Sequence, residues 1–106
     1  AGELLNPVVN VFVLKSLVGA GEGQTVYVIV QDRYIRPIAN AQVGVTLFYA
    51  DESKQYFRLA ETNELGVSQF NFQVDDLDVG TEVNVVAEVS IRGESATGKT
   101  WFRIWW

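Results

Sequence analysis

The feature that most constrains this chain is a two-residue hydrophobic rhythm carried by β-branched side chains. Valine occurs 17 times, and with five isoleucines and six threonines the β-branched total is 28 of 106 residues. Such side chains are stiff at χ1 and fit a pleated, half-buried surface better than a helix. Val26, Val28 and Val30 form one alternating set, and Val43, Val45 and Leu47 another. Phe70, Phe72 and Val74 alternate with Gln69, Asn71 and Gln73, and Val83, Val85, Ala87, Val89 and Ile91 alternate with Glu82, Asn84, Val86, Glu88 and Ser90. Period two places one set on a core and the other on the opposite face. No window carries a 3.6-residue stripe; the nearest, Glu52–Glu64, has a Tyr56/Phe57/Leu59 cluster that suits a strand as well.

Turn chemistry separates these runs. Gly19, Gly21 and Gly23 follow a first strand region spanning about Val8–Leu17, and Arg36-Pro37 with Asn40 precede the next strand but one. Asn63 to Gly66, Asp75 to Gly80, and Arg92-Gly93-Glu94 mark the later breaks. About seven short strands, with turn signals every 8–15 residues, predict one all-β domain over residues 1–106, an antiparallel sandwich. Strand count and turns leave connectivity open, so fibronectin-like and transthyretin-like orders fit as well.

Composition removes whole classes of chemistry. With no cysteine and no histidine there are no disulfides, thiol nucleophiles, Cys/His zinc sites or imidazole-based acid–base schemes. Thirteen acidic residues against eight basic ones give a net charge of -5, which repels a nucleic-acid backbone on average. No apolar run approaches the ~18–20 residues that span a bilayer, so membrane insertion is not expected. The chain opens on Ala1 without a charged and apolar leader, which suits a mature chain or a module of a longer one.

Four motifs follow one another in order: GQTVYVIVQD (Gly23–Asp32), RPIANAQVGVTL (Arg36–Leu47), TNELGVSQFNF (Thr62–Phe72) and GTEVNVVAEV (Gly80–Val89). Together they resemble the bacterial immunoglobulin-like domains, of the invasin type, found in surface adhesins and multidomain secreted proteins. The resemblance covers about residues 8–104 and encodes strand, turn and core rather than chemistry. Two positions depart from the family pattern: Asp32-Arg-Tyr-Ile-Arg36 replaces a glycine before the proline, and Asn63 stands where the family often has Asp. The resemblance implies an immunoglobulin-like β-sandwich and an extracellular or cell-surface location. It also implies a non-catalytic role in spacing or presenting neighbouring domains, with those domains, a receptor or a polysaccharide as partners.

Several local patterns invite a chemical reading. Gly93-Glu-Ser-Ala-Thr-Gly98-Lys99-Thr100 satisfies G-x-x-x-x-G-K-[ST], but strand-like alternation follows it where a phosphate-binding loop needs a helix, so no nucleotide is expected. Gly19, Gly21 and Gly23 likewise precede a strand, and Arg92-Gly93-Glu94 reads as a turn. Asp75, Asp76 and Asp78 could offer hard oxygen ligands to calcium, with Asp51 or Glu52 from another loop, although the spacing is not that of a calcium loop. The expectation is no cofactor, with calcium as the one metal alternative. The C-terminal segment is the strongest binding candidate. Alternation puts Phe102 and Ile104 on one face, and Lys99, Trp101, Arg103 and Trp105 on the other. If the first face is core, the second offers indoles for stacking on sugars and cations beside them, as a carbohydrate-binding module would use. Packing of these tryptophans under a loop or against a neighbouring domain is the competing reading.

Overall fold

The computed structural model describes residues 4–74 and 77–106. All regular secondary structure among them is strand: β1 (Val8–Val13), β2 (Leu17–Val18), β3 (Gly23–Gln31), β4 (Gln42–Phe48), β5 (Lys54–Arg58), β6 (Val67–Gln73), β7 (Glu82–Ile91) and β8 (Glu94–Ile104). They form two sheets, one of three strands in the order β1-β3-β6 and one of five in the order β2-β8-β7-β4-β5. Every pair is antiparallel except β2 with β8, which run parallel.

The valine rhythm accounts for the core. Val26, Val28 and Val30 of one sheet and Val45, Leu47, Val83, Val85 and Ala87 of the other are fully buried, and Phe102 and Ile104 of β8 join them. The two inner faces thus meet in a single apolar cluster, the sandwich-like arrangement in which period-two strands bury one side each. Phe57, Phe70 and Phe72 close one open flank between the edge strands β5 and β6, with ring centroids 4.5–5.8 Å apart. On the other flank β1 lies hard against β8. A Cβ on Gly98 would sit 2.8 Å from the Val9 carbonyl oxygen, so only glycine admits this approach.

The first strand region divides in two, which raises the expected seven strands to eight and makes one pair parallel. The ladder of β1 to β3 closes with the Leu14 N–H donating to Thr25, and from Ser16 onward the chain bonds to β8 of the opposite sheet. Gln24, 2% exposed, holds this crossing: its Oε1 accepts from the Lys15 N–H at 3.0 Å and its Nε2 donates to the Lys15 carbonyl at 2.7 Å. A side-chain amide here replaces the missing strand partner.

The registers separate the loops between two ends of a body measuring 51 × 24 × 19 Å. Residues 4–7, 32–41, 59–66 and 92–93 gather at the end where β1 begins; residues 14–16, 19–22, 49–53, 77–81 and 105–106 gather at the end where β8 finishes. Side chains fix the first group. The Thr62 hydroxyl donates to the Ile38 carbonyl and accepts from the Ala41 N–H, and Asn63 Oδ1 accepts from the Leu65 and Val67 N–H groups. Asn63 thereby supplies the acceptor that an Asp would. Among the described residues no helix is long and apolar enough to cross a membrane.

Candidate functional site

The outer face of the five-stranded sheet gathers the best candidates. Registers place Trp101 of β8, Asn84 of β7, Phe48 of β4 and Lys54 of β5 in one cross-strand row. The next row is Lys99, Val86, Thr46 and Tyr56, and the one after it Thr97, Glu88, Gly44 and Arg58. Trp101 and Phe48 therefore lie about 10 Å apart, twice the inter-strand spacing. Trp101, Phe48 and Tyr56 are exposed, leaving three aromatic rings on one sheet face that the core does not use.

Arg103 and Lys99 flank Trp101 along β8. The Arg103 guanidinium lies 5.8 Å from the Trp101 ring centroid, a cation–π arrangement, while its Nε is buried and has no hydrogen-bond partner among the described residues. Lys99 is exposed. The alternation that put Trp101 and Arg103 opposite Phe102 and Ile104 is thus the one observed, because the latter pair, at 1% and 0% exposure, is core.

Trp105 is exposed and lies just past the end of β8, its N–H donating to the Val18 carbonyl. Trp106, which drew no attention in the sequence, is the more constrained indole. Its Nε1 donates to Glu22 at 2.6 Å, its carbonyl accepts from Ala20, and its ring covers Gly19, where a Cβ would displace the indole and the Glu22 carboxylate. The glycines at 19 and 21 thus belong to a loop that seats the last indole.

Beside the aromatic rows lies a shallow depression of about 190 Å³, lined by Gln42, Gly44, Tyr56, Arg58, Glu88, Ser90 and Ser95 among others. Gly44 is its floor: a Cβ there would collide with the Tyr56 ring. Glu88 and Arg58 occupy the two positions beside Gly44 in its row. This collection of rings, amides, hydroxyls and one charge of each sign suits stacking and hydrogen bonding. Phe48, Tyr56, Arg58 and Glu88 escaped the sequence reading because register alone makes them neighbours of Trp101.

The carboxylates whose ionisation is perturbed serve loops instead. Burial acts to raise the Asp32 carboxyl, but N–H donation from Arg36 and Tyr34 and the Arg36 guanidinium at 2.8 Å outweigh it and hold the group below its ordinary value. Asp51 is lowered by the hydroxyl and N–H of Ser53. Asp75 and Asp76 lie outside the described residues, and Asp78 is exposed. Among the described residues no three Asp or Glu side chains come together as a metal-ligand group. The phosphate-loop string resolves into structure: Gly93 has φ 79° in the β7–β8 turn, Gly98 admits β1, and Lys99-Thr100 continue a strand.

No family model and no curated protein matches the chain. Among solved structures it is similar to part of the Pseudomonas fluorescens alkylpurine DNA glycosylase AlkC, bound to DNA containing an abasic site analogue, with a TM-score of 0.60 and 14% identity over 95% of this chain. It is also similar to part of Spo0M, a sporulation control protein from Bacillus subtilis, with a TM-score of 0.57 and 22% identity over 94% of this chain. The chain spans 31% and 49% of the lengths of those two structures. At such identities the likeness is one of fold, and the fold shared is this two-sheet arrangement.

Proposed function

We propose that this chain is a non-catalytic, immunoglobulin-like module of an extracellular or cell-surface bacterial protein, spacing or presenting the domains beside it. The strand orders β1-β3-β6 and β2-β8-β7-β4-β5, with the four motifs that resemble the invasin-type pattern, support the immunoglobulin-like assignment. The observation that carries the functional reading is the placement of the terminal strands. β1 enters at one end of the 51 Å body and β8 leaves at the other, both along its length. Tension between residues 4 and 106 therefore loads the ladder bonds of both strands together, in shear, rather than one after another. The parallel seam adds bonds of 2.9 Å from Arg103 N–H to Ser16, Trp105 N–H to Val18, and Ala20 N–H to Trp106.

Single-molecule pulling tests this. Handles at residues 4 and 106 shear the sandwich; handles at residues 79 and 106, both at one end, peel β8 from β7. The end-to-end geometry is expected to need a severalfold higher unfolding force. Equal forces would remove the mechanical basis of the reading.

A second reading, a carbohydrate-binding module, is favoured by the row of Trp101 and Phe48 beside the polar depression at Gly44. Binding to a polysaccharide panel that Trp101→Ala and Tyr56→Ala abolish would establish it; a panel with no binder would end it. The DNA in the glycosylase complex belongs to a protein of which this chain spans 31%, and a net charge of -5 gives no reason to extend nucleic-acid binding here.

A further inference from the structure

Charge is divided unevenly between the two outer faces of the sandwich. β1, β3 and β6 contain no charged residue, so the outer face of the three-stranded sheet is neutral. The outward positions of the five-stranded sheet carry Lys54, Arg58, Lys99 and Arg103 against Glu82 and Glu88. Half of the chain's eight basic residues thus share one face, four cations against two carboxylates, on a chain whose net charge is -5. The acidic excess lies elsewhere on the molecule.

These cations are not neutralised within the protein. Among the described residues Lys15 pairs with Glu22 at 3.6 Å and Arg36 with Asp32 at 2.8 Å, whereas none of the four cations on the sheet face closes an ion pair. Glu82 stands opposite Arg103 in the register, yet the buried Arg103 Nε has no hydrogen-bond partner among the described residues. Glu88 and Arg58 are separated by Gly44, and the depression of about 190 Å³ opens there beside Tyr56. A guanidinium or ammonium group left without an internal partner is available to a carboxylate from outside, in a charge-assisted hydrogen bond.

The chemistry of the ligand follows from what the face offers. Trp101, Phe48 and Tyr56 present rings for stacking, and the excess of cations favours an anion. Ionised Glu82 and Glu88 accept hydrogen bonds and donate none, so they need a ligand rich in hydroxyl donors. The phosphodiester backbone of DNA has no such donors and would be repelled by both carboxylates. A sugar polymer that bears carboxylates combines ring faces, negative charge and free hydroxyls. We infer that this face binds an acidic polysaccharide, with Arg58 and Lys99 holding its carboxylates, Glu88 accepting from its hydroxyls, and Trp101 and Tyr56 stacking on its rings. The inference rests on the carbohydrate-binding reading and gives that reading its ligand class. Trp101 and Gly44 are four residues apart along the strands and two strands apart across them, about 16 Å, so several sugars are engaged at once.

An NMR titration of the 106-residue chain with oligogalacturonate, oligomannuronate and hyaluronan fragments, each beside its methyl ester, tests this. Binding should shift the Trp101 indole signal and the amides around Gly44, leave the outer face of β1-β3-β6 unmoved, and weaken as salt rises. Esterification, and separately Arg58→Gln, should each weaken it by about tenfold or more, the loss of one charge-assisted hydrogen-bonded contact. Glu88→Gln should also weaken binding, although it makes the face more positive. Arg58 and Glu88 are exposed, so unchanged melting temperatures would confirm that the variants fold. Esters or neutral polysaccharides bound as tightly as the acids would overturn the inference and leave the carbohydrate-binding reading standing. No saccharide of either kind bound at roughly 1 mM would overturn both. Preference for a single-stranded oligonucleotide, strengthened by Glu88→Gln, would overturn it in favour of a phosphate-bearing ligand.

Discussion

Replacing Gln24 by Leu tests the account of how the chain crosses between sheets. The side chain becomes one atom shorter and loses both hydrogen-bonding groups at a position that is 2% exposed. Three contacts go: the Lys15 N–H at 3.0 Å, the Thr25 N–H at 3.1 Å and the Lys15 carbonyl at 2.7 Å. Each net hydrogen bond is worth about 1 kcal/mol, and an N–H or C=O left unpaired in a partly buried place costs a further 1–3 kcal/mol. Gains from burying leucine instead of an amide offset part of this, leaving a loss of about 2–3 kcal/mol. For a domain of this size that is roughly 8–20 °C in Tm. Hydrogen exchange sharpens the test, because the Lys15 amide should lose protection while amides in the middle of β7 follow only the global change. A Tm within about 2 °C of the parent, with Lys15 still protected, would refute the claim that Gln24 holds the crossing.

Three further outcomes follow from the same contacts. Gly98→Ala should lower stability by about 1–3 kcal/mol and speed exchange of β1 amides, since its Cβ would lie 2.8 Å from the Val9 carbonyl oxygen and 2.9 Å from Val11; thermal unfolding measures the first effect. Asp32 is depressed in the folded state relative to an ordinary value of 3.8, so its contribution is complete above that pH and is lost as pH falls through the lower folded value; Asp32→Asn should flatten the acid limb of a stability-versus-pH curve below about pH 4. With Trp101, Trp105 and Trp106 exposed by 47%, 56% and 57%, tryptophan emission should be red-shifted and quenched by iodide, and a blue-shifted, protected spectrum would contradict these positions.

Much of the sandwich was legible because period two is a local property. Val83, Val85, Ala87 and Val89 announce a buried face without reference to any other strand, and they are buried. Phe102 and Ile104 were readable in the same way, and with them the outward direction of Trp101 and Arg103. Phe70 and Phe72 follow the rhythm yet are only half-buried, because β6 is an edge strand and their rings meet Phe57 across the open flank. The division of Val8–Leu17 was hidden. The apolar residues run on through Val13, Leu14 and Leu17, and nothing local states that a glutamine nine residues beyond Lys15 will take the place of a strand. Glu94 is a similar case: a carboxylate after a turn accepts the Leu5 and Asn6 N–H groups, partners 89 and 88 residues away.

Apart from the break within Val8–Leu17, the sequence by itself determined where most strands lie, which face of each is apolar and where the chain turns, since these depend on side-chain shape and on neighbours a few positions apart. Tertiary structure alone decided which strands pair, and therefore which exposed side chains share a surface. Trp101 shares a row with Asn84, Phe48 and Lys54 only because three registers line them up. The cations of β5 and β8 share a face only because β4 and β7 join those strands into one sheet. Local preference sets direction and rhythm; long-range hydrogen bonds and the burial they permit set adjacency, and recognition depends on adjacency.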